Sequence, residues 1–232
     1  MLGYLLLCLL HSGAAFAALE AKVLASARSL ASSGTASRGE LEAALQELVA
    51  SGGGIIDPAL SPSIEGNWRL LYTTKSSFDW RNPLGRRSDG STPGLEGLLA
   101  TLTGGGSEGA DASSSSSPIQ RAVTSAFSVT QSIVGLQSGD GRVEQLVRTP
   151  LGELHLNAAA RTSDSQPRRI SFTFDEGYFE SEGGLRLPYP VPFRLLGDEA
   201  QGWLDTEFLS DRLRVSVGSK GTTFVLERAT GD

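Results

Sequence analysis

The chain has 232 residues, a formal net charge of −6 and 39% hydrophobic residues, which fits one or two domains and argues against a broad nucleic-acid footprint. Its single cysteine, Cys8, lies in an N-terminal apolar run, so no disulfide, CxxC pair or thiol chemistry is expected of the mature protein. His11 and His155 are the two histidines; a Ser-His-Asp triad or a histidine metal site has His155 alone to draw on, and neither a metal nor a cofactor is expected.

Leu2 to Leu10 is almost wholly apolar and is followed by HSGAAFAAL. That pattern reads as a signal peptide rather than a membrane span. Ala15-Phe16-Ala17 fits an A-x-A cleavage site, and so does cutting just before Phe16. The n-region has no Lys or Arg. The next stretch, AKVLASARSLASSGTASR, holds Lys22, Arg28 and Arg38 and no acid. This is transit-peptide composition, and it reads equally as a helix of the mature protein. A signal followed by such a stretch resembles the two-part plastid address of algae with secondary plastids; simple secretion is the alternative. The chain thus divides into a targeting segment over 1–17, a helical segment over 18–60 and a β domain over 61–232.

Leu19 to Leu30 reads as a loose helix. Ser37 is a candidate N-cap with Glu40 three residues on, as in a capping box. Leu41, Ala44, Leu45, Leu48 and Val49 then follow helical spacing, and SGGG ends the helix. DPALSPS reads as a linker into the first strand, GNWRLLYTT, where Trp68, Leu70 and Tyr72 face one way and Arg69, Leu71 and Thr73 the other. Trp68 needs an apolar pocket and a partner for its indole N–H. The stretch 81–118 breaks the pattern and reads as an insertion over about 85–118. Its GGGSEGADASSSSS tract cannot bury enough surface to offset its ordering entropy, so disorder is expected there. Arg86 and Arg87 read as a solvated loop pair or as a phosphate or headgroup contact.

From Ala126 onward short strands alternate with turns. Phe127, Val129, Gln131 and Ile133 share one face. Val143, Gln145 and Val147 follow the turn SGDGR. Leu154, Leu156, Ala158 and Ala160 alternate with Glu153, His155, Asn157 and Arg161. Ile170, Phe172 and Phe174 alternate with Arg169, Ser171, Thr173 and Asp175. YFESEGGLRLPYPVPF is less regular, and its prolines fit an edge or a loop. The end reads as a hairpin with Leu213, Val215 and Val217, the turn GSKG, then Phe224 and Leu226. Short strands at this spacing argue for a sandwich or barrel, and no helix-length pattern lies between them to build a parallel α/β sheet.

GNWRLLYTT at the head of the strands, VTQSIVG in the middle and GWLDTEFLSDRLRVSVGSKGTTFVLER at the end resemble the plastid lipid-associated protein (PAP), or fibrillin, family over roughly Leu19 to Arg228. The resemblance implies a mainly β fold: a lipocalin-like antiparallel β-barrel preceded by one or two N-terminal helices. It implies a plastid (chloroplast) location at thylakoids or plastoglobules. It also implies binding of prenyl lipids or other hydrophobic molecules, such as a prenylquinone or carotenoid, at a peripheral membrane or lipid-droplet surface. The role is structural or that of a carrier, without catalysis. Two other readings stay open: a lipocalin-like enzyme acting on a carotenoid or related substrate, and a secreted lipocalin.

Gly66-x-Trp68 looks like the G-x-W of lipocalins. In an up-and-down barrel the first strand closes against the last, head to tail. Arg228 is then placed to lay its guanidinium over Trp68, a cation–π contact of about 1 kcal/mol or more; Arg214, one strand earlier, is the second candidate. Gly66, Trp68, Arg214 and Arg228 form the expected closure set. Tyr72, Phe127, Val129, Gln131, Ile133, Leu156, Phe172, Phe174 and Phe224 are the expected ligand contacts, with Leu154 and Val215 on the same inward face. Gln131, polar among apolar neighbours, bonds either a ligand headgroup or a backbone group. Asp205 reads as a turn former, and Trp203 as core or a membrane-facing anchor. Asp175 and Glu176 are adjacent and so are not a catalytic carboxylate pair. His155 falls on the outward face.

Overall fold

The computed structural model describes residues 2–32, 36–74, 128–188, 200–219 and 221–229, with side chains from Phe16 onward. The expected insertion over about 85–118, Arg86, Arg87 and Phe127 lie outside the described residues. Two helices come first, α1 (Leu2–Ser32) and α2 (Arg38–Ala50). The apolar run and the looser helix read from the sequence are one continuous helix. Ser37 has an extended backbone at the start of α2, but its hydroxyl makes no capping bond; its carbonyl accepts from the Leu41 N–H at 3.1 Å. Gly52, with φ at +66°, turns the chain out of α2. Among the described residues no helix is long and apolar enough to cross a membrane.

Among the described residues nine strands follow: β1 (Gly66–Thr73), β2 (Ser128–Val134), β3 (Arg142–Thr149), β4 (Gly152–Arg161), β5 (Arg169–Ser181), β6 (Arg186–Pro188), β7 (Gln201–Leu209), β8 (Leu213–Gly218) and β9 (Thr223–Arg228). They form one antiparallel sheet in the order β4-β3-β2-β1-β9-β8-β7-β5-β6, and a β4–β5 pairing closes it into a ring with β6 appended to β5. The first strand pairs with the last, Trp68 opposite Arg228. The irregular YFESEGGLRLP stretch extends β5 to Ser181 and returns as β6, whose Pro188 pairs with Tyr178. A proline is tolerated there because β6 is an edge.

Three irregularities reset which side chains face inward: between Leu70 and Tyr72 in β1, opposite Asn157/Ala158 in β5, and between Thr206 and Phe208 in β7. An extra residue in one strand shifts the alternation by one. Two apolar clusters lie inside the ring, one around Trp68, Ile133, Ile170, Leu209 and Leu226, the other around Val129, Val147, Leu154 and Leu156. A third lies outside the ring, where Val23, Leu24, Leu41 and Leu48 of the helices cover β1 and β7–β9.

That outer layer corrects two expectations. Tyr72 was expected inward with Trp68 and Leu70. The irregularity at Leu71 turns it outward instead, opposite Val225 and under the helices. Val215 was expected inward as well, yet it packs beneath the helices with Leu213. A strand covered on its outer side by helices buries both faces, so its more apolar face does not have to be the inner one. Two further expectations change. DPALSPS is not a free linker: it forms two 3₁₀ turns, Pro58–Leu60 and Pro62–Ile64, that bury Ala59 and Ile64 completely at one end of the ring. Asp205 is no turn former either, since it lies within β7 opposite Arg169.

Candidate functional site

One end of the ring is shut. The Trp68 ring is fully buried, and its indole N–H donates to the Ile64 carbonyl at 2.9 Å, which the 3₁₀ turns carry under the ring. The Arg228 guanidinium lies 4.2 Å from the Trp68 ring centroid. It also donates to three backbone carbonyls, those of Asp211 (2.8 Å), Glu65 (2.9 Å) and Ser63. These bonds join β9, the β7–β8 turn and the 3₁₀ turns at one point. Gly66 is required at the crossing. Its φ is +118°, and a Cβ there would meet Arg228 Nη1 at 2.6 Å.

Above Trp68 lies a polar layer. Arg214, on β8, points into the interior and is 1% exposed. It reaches across to β2, where its Nη2 donates to Gln131 Oε1. Its guanidinium carbon is 5.2 Å from the Trp68 ring centroid. Burial, and after it the like charge of Arg228, pushes the Arg214 pKa down to about 9. Gln131 thus finds its partner in a side chain rather than in the backbone. Gln145 is paired with both Gln131 and Leu156 and shares their inward face. One step along, the Thr206 and Ser216 hydroxyls bond each other at 3.2 Å.

Beyond this layer the wall is apolar. Val129, Leu154 and Leu156 are buried, while Leu70, Phe172, Phe174 and Phe224 are half-buried. Phe172 and Phe174 meet edge to face at 5.4 Å. Gly202 makes room for Phe172, whose ring a Cβ would meet at 2.7 Å. Of the sequence-predicted contacts, Val129, Gln131, Leu156, Phe172, Phe174 and Phe224 come together on the inner wall. Ile133 lies lower, fully buried beside Trp68. Tyr72 is outside, where its hydroxyl donates to Glu42 at 2.8 Å. Desolvation first, then that hydrogen bond and the Glu42 charge, raise its pKa to about 12.

The outer face holds the remaining candidates. Arg169 grips Asp205 with two bonds, at 2.7 and 2.6 Å, and lies 3.9 Å over Trp203. His155 stacks on Tyr178 at 4.5 Å. Asp175 is held by Arg142 and Glu176 by Asn157. No group of His, Cys, Asp and Glu among the described residues is placed to hold a metal ion.

The sequence reading missed Arg214 as the centre of an interior polar layer, together with Gln145, Thr206 and Ser216. A signal was present for two of them. Gln145 sits at period two with Val143 and Val147, a polar residue on their inward face, and Ser216 stands between Val215 and Val217, on the face that proves to be the inner one. Thr206 was hidden by the extra residue directly after it, Glu207.

A family model described as PAP_fibrillin matches residues 111–227. A protein of Arabidopsis thaliana named "Probable plastid-lipid-associated protein 12, chloroplastic" is 38% identical over 184 residues, covering 76% of this chain and 36% of its own length. The chain therefore spans about a third of that relative. No solved structure matches. With the first strand closed on the last and the matched region running from before β2 nearly to the end of β9, the chain belongs to the PAP/fibrillin family.

Proposed function

We propose that the ring works as a lipocalin-like barrel that holds a hydrophobic small molecule such as a prenylquinone or carotenoid. The protein then serves as a plastid lipid-associated protein at thylakoids or plastoglobules, as a carrier or structural component without catalysis. Family membership and the name of the relative support this reading. One observation carries it: Leu70, Phe172, Phe174 and Phe224 face the interior of a ring plugged at one end, yet they stay half-buried. Inward apolar side chains that stay partly exposed are the wall of a ligand site rather than a finished core.

In this reading Trp68, Gly66 and Arg228 are structural, and ligand enters at the far end. Residues 1–17 are a targeting segment, and the basic Ala/Ser stretch after it serves as the second half of a plastid address while staying on the mature chain, where Val23, Leu24 and Ala27 pack on the ring. Titration of the delipidated chain with a prenylquinone tests the ligand reading. Saturable binding of one ligand per chain is expected, weakened severalfold by Phe174→Ala. Absence of saturable binding for prenylquinones, carotenoids and fatty acids alike would overturn it. A reporter fused to residues 1–38 should enter plastids; its secretion would overturn the address.

A further inference from the structure

Among the described residues, nothing balances the charge that Arg214 carries into the interior. Arg214 is 1% exposed, and its Nε is buried with no hydrogen-bond partner. The acceptor it does have, Gln131 Oε1, is a neutral amide. Among the described residues no carboxylate forms an ion pair with Arg214. Asp205 is engaged outside the ring by Arg169, and Glu227 by Arg28 and Arg69. Among the described residues the charged neighbour acting on Arg214 is Arg228, of the same sign. Burying an unpaired cation is costly, and a closure role does not require it. Arg228 already lies nearer the Trp68 ring and fastens the plug through three carbonyls.

We propose that Arg214 anchors the carboxylate of an amphiphilic ligand, a long-chain fatty acid or a lipid acid of similar length, with its hydrocarbon chain along Leu156, Phe172, Phe174 and Phe224. This rests on the reading of the ring interior as a site for a hydrophobic molecule, and it adds the headgroup. Nε and Nη2 form one edge of the guanidinium, the edge that accepts a carboxylate with two parallel bonds. Nε is free, and Nη2 is held by an amide oxygen that an anion displaces. The polar layer lies next to the plug and the half-buried aromatic wall above it. The headgroup therefore goes in first and the chain trails toward the far end of the ring. Neutral prenyl lipids fill the same wall but leave the charge unbalanced, so the site selects acids over neutral molecules of equal length.

The test compares oleate with methyl oleate on the full chain, by calorimetry and by thermal shift. Wild type is expected to bind oleate about tenfold or more tighter than the ester, the gain of a charge-assisted pair over a neutral contact. Arg214→Met should erase that preference and leave the ester's affinity within about twofold; Arg214→Lys should keep part of it. Equal affinity of wild type for acid and ester overturns the anchor while leaving the hydrophobic site intact. So does a preference that survives in Arg214→Met. Failure of both ligands and of prenylquinones to bind overturns the ligand reading itself, and the anchor with it. Should Arg214→Met fail to fold, the wild-type comparison alone still decides, because it needs no variant.

Discussion

At Gly66 two constraints coincide, a positive φ and the passage of Arg228 Nη1 across the α-carbon. Either alone tolerates some substitution; together they make any side chain costly. Gly66→Ala should cost about 2–3 kcal/mol in urea unfolding, the sum of backbone strain and a displaced guanidinium. A cost below about 0.5 kcal/mol would show that Arg228 does not hold the plug. Tyr72 offers a second test through pH. Its hydroxyl pKa is near 10 when unfolded and about 12 in the fold. The raised value means that the folded state favours the protonated phenol. Its contribution to stability is complete below pH 10 and is lost as pH rises from about 10 to about 12. Tyr72→Phe should therefore flatten the loss of stability over that window; an unchanged alkaline profile would remove the Tyr72–Glu42 bond from the account.

At the level of elements, the two faces of β8 have separate duties. Leu213 and Val215 hold the helices, while Arg214 and Ser216 line the interior. Val215→Ala should lower stability by about 1–2 kcal/mol with little change in ligand affinity, whereas Phe174→Ala should do the reverse. If Val215→Ala changes ligand affinity as much as Phe174→Ala does, the two layers are not independent. This division also marks where the sequence could be read and where it could not. Strands β2–β4, and β5 as far as Phe174, alternate cleanly because most of their outer face meets water, so the apolar set points inward as expected. Beneath α1 and α2 both faces are buried, and alternation loses its sign. Tyr72 and Val215 went to the wrong side for that reason, and the single extra residue at Leu71 carries no mark in composition. The plug was read as a linker because Pro, Ser and Asp dominate it; besides proline its apolar residues are Ala59, Leu60 and Ile64, and burial of such small patches is decided by what they meet.

Across the whole molecule, the pairing of Trp68 with Arg228 and the cover of helices over β1 and β7–β9 tie the two ends of the described chain together. Arg28 and Arg69 meet on Glu227, which is 6% exposed at its side chain, so α1, β1 and β9 share one ionic joint. The consequence concerns timing. Contacts this distant in sequence form late, because each must first overcome the entropy of a long closed loop. The N-terminal helices leave the ribosome first, but the surface they dock on is incomplete until the last strand arrives. Until then Leu41, Leu45 and Leu48 have only α1 to pack on. The described fold is thus completed by its latest strand and not by its earliest helices: it locks when the six-residue β9 meets β1.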